Sequence, residues 1–174
     1  MKEIEVKILE IDKDKVIRQL KDLGAKKVFD GTLSDSHFDF SDKTLRKEGK
    51  LLRIRVKGDK LFLTYKEPVD KSKAKIMEEH EISLQAGHYD KLKSLIIKTG
   101  LKEKKQVPKK RISFRLEDVI FEIDTFEGIP PFLEIEAPSI ERIKEYVEKL
   151  SFSMDDVKPW NTFDVFKYYK KIIP

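Results

Sequence analysis

The chain opens on an alternation of apolar and charged positions. In "MKEIEVKILE", Ile4, Val6 and Ile8 fall on one side of an extended backbone, and Glu3, Glu5 and Lys7 fall on the other, because successive strand residues point to opposite faces. The same two-residue period predicts strands over 2–10, 33–40, 51–57, 60–67, 76–84, 104–116, 118–126 and 132–137. A period near 3.6 marks the helices between them. Asp12 caps the first, with Val16, Leu20 and Leu23 on its inner side and Gly24 as its stop. The second spans 88–99 on Tyr89, Leu92 and Ile96 and ends at Gly100. Ser139 caps a third, carrying Ile140, Ile143, Val147 and Leu150, and a fourth covers 162–171.

Turn chemistry orders these elements. Gly58-Asp59 and Glu117-Asp118 each join two strands as hairpins, and "EGIPPF" reads as another turn. Asp42–Lys50 is a charged turn, and Pro68–Lys75 is a mobile loop that exposes Lys71, Lys73 and Lys75. Strands in hairpin order with a few helices make an α+β fold. Antiparallel strands this numerous tend to close into a barrel. A length of 174 residues suits one domain over 1–174.

Charge sharpens the picture. Arg53, Arg55 and Lys57 share a face of "LLRIRVK", and Lys66 shares one with Thr64 in "LFLTYKEP". Glu79 and Glu81, Lys109 and Arg111, Glu122 and Asp124, and Glu134 and Glu136 pair in the same way on four further strands. A sheet with one face in water would use Thr, Ser and Gln freely there, dressed with ion pairs worth about 0–1 kcal/mol each. Charge-x-charge repeated on strand after strand, with most strands keeping one sign, is better explained by a barrel whose charged face looks inward. Dry burial of so many ions would cost several kcal/mol apiece, so the interior must be a tunnel for water and a charged ligand. Arg and Lys suit phosphate oxygens. Clustered Asp and Glu suit Mg²⁺ or Mn²⁺, which take oxygen ligands and bridge to phosphates.

Composition excludes other classes. Charged residues reach 40% and the net charge is +5, yet 32 acidic residues oppose 37 basic ones, which favours a patterned site over a basic tail. There is no Cys, so disulfides and thiolate chemistry are excluded. No apolar run approaches the roughly 20 residues that span a bilayer. The strand pattern begins within three residues, leaving no room for a signal peptide, so the expectation is a soluble cytoplasmic protein. His37, His80 and His88 show no metal-site spacing, and His80 falls on the outer face. P-loop and Rossmann glycine motifs are missing. Trp160 and the Phe-rich segment after it are read as docking the last helix.

Several of these segments, in order, resemble one family. "EIEVK" is similar to the ExExK signature of the CYTH superfamily, the triphosphate tunnel metalloenzymes. "DSHFD" (Asp35–Asp39) resembles the family's D-T-Y-F-D segment with His37 in the aromatic's place. "LRIR", "TYKEP", "EEHE", "KKR" and "IDTFEGIPPFLEIE" follow, with Pro131 where a Gly is usual. The resemblance runs nearly end to end. It implies a closed eight-stranded antiparallel β-barrel with helices packed on the outside, binding a triphosphate through Mg²⁺ or Mn²⁺. Within the superfamily, "TYKEP" and "TFDVF" look most like class IV adenylyl cyclases, while related members hydrolyse thiamine triphosphate or inorganic triphosphate.

The expected site follows. Lys7, Arg53, Arg55, Lys66, Lys109 and Arg111 are the substrate-binding set, with Lys7, Arg55 and Lys66 as its catalytic members. Glu5, Asp124, Glu134 and Glu136 are the metal-ligand candidates, joined by Glu3, Glu79 and Glu81 lining the same cavity. The expected reaction converts ATP to cyclic AMP and pyrophosphate, with a triphosphatase as the alternative. A non-enzymatic polyphosphate- or nucleotide-binding module is the second alternative, and RNA binding a third. No nucleic-acid or membrane partner is expected, and a homodimer is compatible with the sequence.

Overall fold

In the computed structural model, the backbone is described for residues 2–70 and 75–171, and the side chains for 4–69, 76–104 and 106–171. The strands are β1 (Lys2–Ile8), β2 (Lys26–Asp39), β3 (Leu51–Lys57), β4 (Lys60–Asp70) and β5 (Lys75–Gln85). They continue as β6 (Lys102–Lys105), β7 (Lys109–Leu116), β8 (Val119–Phe126), β9 (Ile129–Ala137) and β10 (Val157–Lys158). The sheet runs β1-β5-β4-β3-β2-β7-β8-β9 and returns to β1, every neighbouring pair antiparallel. This is a closed eight-stranded barrel. β6 and β10 extend it, β6 beside the end of β2 and β10 beside the end of β1.

Apolar residues face out of the barrel and are covered by helices. α1 (Lys13–Asp22) begins where the Asp12 carboxylate accepts the Lys15 N–H at 3.0 Å and stops at Gly24, φ +85°. Its Val16 and Leu20 join α4 (Ile140–Lys149), through Ile143, Tyr146 and Val147, on Phe114, Phe121, Ile123 and Ile135. Burying such a side chain stabilises the fold by about 1.5–3 kcal/mol. α3 (Tyr89–Lys98) sets Ile96 against Phe38, Ile54 and Leu61 on the opposite wall.

Two shorter helices sit at one rim. α2 (Thr44–Lys47) links the end of β2 to the start of β3. α5 (Thr162–Tyr168) buries Val165 and Phe166 with Phe126, Ile129 and Phe132 at the β8–β9 end. Trp160 packs against that same cluster, where the sequence expects it to dock the last helix. Because neighbouring strands are antiparallel, these strand ends share one mouth of the barrel.

Several boundaries differ from expectation. The strand expected at 33–40 starts at Lys26, because its first half pairs with β7 across a bulge between Lys27 and Phe29 that breaks the alternation. The strand expected at 104–116 is two pieces, since Pro108 has no N–H to give the ladder. "EGIPPF" holds a two-residue turn at Glu127-Gly128, and Ile129–Phe132 already belongs to β9, where a register shift accommodates the prolines. The charged turn at 42–50 contains α2, and the last helix ends at Tyr168. Of the expected loop at 68–75, residues 68–70 complete β4 and Lys75 starts β5, and 71–74 lie outside the described residues. Among the described residues no helix is long and apolar enough to cross a membrane.

Candidate functional site

The barrel encloses a cavity of about 620 Å³, within the range of small-molecule sites. Lys7, Arg53, Arg55, Lys66, Lys109 and Arg111 all line it, as do Glu5, Glu79, Glu81, Glu134 and Glu136. Asp124, fully buried, lies in the wall behind them. The Glu3 side chain is outside the described residues. Alternation thus carries one charged face of each strand inward, while ring closure brings the faces together.

Arg111 organises one wall. Its Nε and Nη2 donate to the two oxygens of Asp124 at 2.6 Å each, and Lys109 Nζ donates to Asp124 Oδ2 at 2.7 Å. Arg111 also meets Glu122, and its Nη2 lies 3.7 Å from Glu134. Glu134 in turn receives Lys7 Nζ at 2.9 Å, with Glu5 3.4 Å from the same ammonium. Burial penalises each of these charges, and opposite charge overrides that penalty for most. Desolvation alone would lower the Lys7 ammonium, but Glu134 and Glu5 hold its pKa above the ordinary value. Burial would raise the Glu134 and Asp124 carboxyls. Lys7 and Arg111 hold Glu134 well below the usual range, and Lys109 and Arg111 hold Asp124 low. Lys109 is the exception: burial and the neighbouring Arg111 pull its pKa down.

The facing wall is built on Asp35. Arg55 Nε and Nη2 reach its two oxygens at 2.7 and 2.6 Å, a bidentate clamp, and Arg53 Nη1 stands 3.9 Å away. Arg53 Nη2 donates to Thr64 Oγ1 at 3.3 Å, and Thr64 donates on to Glu81 at 2.8 Å. The buried Arg53 Nε has no hydrogen-bond partner in the protein, while the side chain as a whole lines the cavity. Lys66 Nζ meets Glu79 at 2.8 Å. His37 lines the same space, and burial pulls its pKa down to about 4, with Asp35 opposing and Arg53 and Arg55 assisting. The imidazole is therefore neutral at pH 7.

The donor set fits a divalent ion held partly by substrate. Among the described residues no three acidic or imidazole side chains converge into a ready metal cage. The register instead sets Glu5 directly opposite Glu136 and Glu122 directly opposite Glu134, and Arg111, which meets both Glu122 and Glu134, already screens the second pair. Paired hard oxygens, completed by phosphates and water, are how Mg²⁺ is commonly held.

Sequence reasoning gives no role to Asp35, Thr64 or Ser113, although Asp35 anchors Arg55 and Ser113 donates to Glu122 at 3.2 Å. Asp35 and His37 sit two apart on one strand, the same signal that marked the other faces. The rim residues Arg46, Asn161 and Phe163 also line the cavity, and no local pattern identifies them.

Comparison with known proteins points one way. The CYTH domain family profile matches residues 1–158. A Methanocaldococcus jannaschii protein named "Putative adenylate cyclase" is 35% identical over 161 residues, covering 92% of this chain and 90% of that protein. A solved Vibrio parahaemolyticus structure described as a putative adenylate cyclase has a TM-score of 0.78 at 18% identity, covering 95% of this chain and 97% of its own. A Hippeastrum protein, described as a putative adenylyl cyclase with a dominant triphosphatase activity, has a TM-score of 0.63 at 17% identity, covering 99% and 97%. These two structures share the barrel fold.

Proposed function

The chain belongs to the CYTH domain family, and from that premise we propose that it is a metal-dependent enzyme acting on a triphosphate, converting ATP to cyclic AMP and pyrophosphate. The observation that carries this reading is the convergence of Lys7, Arg53, Arg55, Lys66, Lys109 and Arg111 on one enclosed cavity lined with carboxylates. A bare anion-binding pocket gains nothing from inward carboxylates, which repel the ligand. A site for a metal–triphosphate complex needs both.

The roles follow from position. Arg55 and Arg53 grip phosphate oxygens on the Asp35 wall. Lys7, Lys109 and Arg111 serve the opposite wall, oriented by Glu134 and Asp124. Bound Mg²⁺ or Mn²⁺, held through Glu5, Glu134 and Glu136, would supply Lewis-acid polarisation at phosphorus. Fixed cations then stabilise charge that develops in an in-line displacement without reorganising. Soluble, cytoplasmic action without a nucleic-acid partner remains part of this reading.

A second reading has the same grip and a different nucleophile. Water attacking the terminal phosphorus would make a triphosphatase, and the barrel shared with the Hippeastrum protein favours keeping it. The deciding experiment incubates the protein with ATP, inorganic triphosphate and thiamine triphosphate, each with Mg²⁺ or Mn²⁺, and separates the products. Cyclic AMP with stoichiometric pyrophosphate supports the cyclase. Orthophosphate without cyclic nucleotide overturns it in favour of hydrolysis. Tight binding without turnover of any of the three leaves a binding module.

A further inference from the structure

The cavity changes character at its rim. Its walls are charged, but the mouth between α2 and α5 is aromatic: Phe126, Phe163 and Phe166 all line it. There the Arg46 guanidinium lies 3.9 Å over the Phe163 ring. Phe163 is 41% exposed, so its ring is open to a ligand at the mouth.

Both partners are held in place by their own elements. The buried carboxylate of Asp39 accepts the backbone N–H groups of Phe40, Leu45 and Arg46 at 2.8, 2.9 and 3.1 Å, which staples α2 to the end of β2. On the other side, Asn161 and Asp164 exchange hydrogen bonds of 3.0 Å across the first turn of α5. Val165 and Phe166 then anchor that helix in the apolar cluster beneath. A preorganised aromatic surface loses little entropy when a ligand stacks on it.

We propose that Arg46 and Phe163 form a subsite for a flat heteroaromatic head group, so that the substrate is an organic triphosphate and not inorganic triphosphate. This rests on the reading of the cavity as a triphosphate site. Bare phosphates need only charge. A guanidinium plane and a phenyl ring, by contrast, both stack on heteroaromatic faces. The two regions are contiguous, since Lys109 Nζ is 5.9 Å from the centroid of the rim residue Phe126. A head group at the rim therefore leaves its phosphate chain pointing at the cations.

The test reads a ratio of affinities. Calorimetric titration of the full chain with Mg²⁺ compares the β,γ-imido analogue of ATP with inorganic imidotriphosphate. Wild type should prefer the organic ligand. Phe163→Ala and Arg46→Met should each cut that preference, Phe163→Ala by about tenfold, and Phe163→Trp should keep it. An equal loss for both ligands would make the pair a latch between α2 and α5 and overturn the inference, as would a wild type without preference. Wild type binding neither analogue would instead remove the triphosphate reading on which the subsite depends. Titrating thiamine triphosphate on the Glu134→Gln variant, slowed in turnover, then separates a purine-type head from a thiamine-type one by which Phe163→Ala weakens more.

Discussion

Arg111 holds both oxygens of Asp124 at 2.6 Å, and Lys109 shares one of them at 2.7 Å, all three side chains shielded from solvent. A carboxylate serving two buried cations is a structural keystone as well as part of the site. Asp124→Asn should destabilise the ligand-free protein by about 3–5 kcal/mol, because it leaves buried positive charge uncompensated. Inorganic triphosphate should restore part of that loss by replacing the missing charge. Chemical unfolding with and without the ligand checks both statements, and a loss that triphosphate leaves untouched would count against anion binding beside Arg111.

Arg55 tests the other wall. Its two hydrogen bonds to Asp35 depend on a planar fork that Lys lacks. Arg55→Ala and Glu134→Gln should each lower metal-dependent turnover by about 10²–10³. Arg55→Lys should recover only part of the loss, since a point charge does not reproduce the clamp. Near-normal turnover in the Ala and Gln variants would show that the chemistry lies elsewhere.

How much of this could be read from the chain depends on which relationships are local. Alternation within "LRIR" or "KKR" is local, so the inward side chains Arg53, Arg55, Lys109 and Arg111 were legible. Ring closure followed from hairpin order and the family resemblance. Pairing across strands was not legible: that Arg55 meets Asp35 depends on the register between β2 and β3, set by the packing of both outer faces. The rim is further still from local pattern. Arg46 and Phe163 are 117 positions apart, 163 less 46, and meet only because antiparallel strands deliver α2 and α5 to one mouth.

His37 makes stability depend on pH. Its pKa is about 4 in the folded protein against an ordinary 6.5, so the unfolded chain binds the proton first as pH falls. The stabilisation is complete above pH 6.5 and lost progressively toward pH 4, by up to about 3 kcal/mol. Asp35 and Glu134, held low by their cations, add a further loss below about pH 4, because they must be protonated as the chain unfolds in acid. Melting temperature measured from pH 8 down to about 3 should therefore be flat at first and fall below 6.5. His37→Gln should flatten the segment between 6.5 and 4 and leave the decline below it. An unchanged profile would place His37 in free contact with solvent.

Leu20 separates fold from chemistry. It is fully buried between α1 and the barrel wall, on the side away from the cavity. Leu20→Ala should cost about 2–5 kcal/mol of stability through the cavity it leaves. Turnover per folded molecule, measured well below the melting transition, should stay within about twofold. A large fall in turnover would mean that the outer packing sets the inner geometry more tightly than the wall alone requires.

Removing metal should silence the enzyme and spare the fold. Lys7, Lys66, Lys109, Arg55 and Arg111 already pair with carboxylates on neighbouring strands, and the apolar clusters lie outside the cavity. The barrel thus has little need of a divalent ion to hold its shape. What the ion would relieve is the residual repulsion between carboxylates such as Glu5 and Glu136, set opposite one another by register. Cross-strand pairs of that kind are worth about 1 kcal/mol or less apiece, so chelation should lower the melting temperature by only a few degrees. Turnover should vanish, because a triphosphate meeting those carboxylates without a cation between them is repelled at the place where it must be held. Glu136→Gln should raise the metal concentration needed for half-maximal rate. If chelation instead unfolded the barrel, the ion would be structural, and the carboxylate pairs would be its cage.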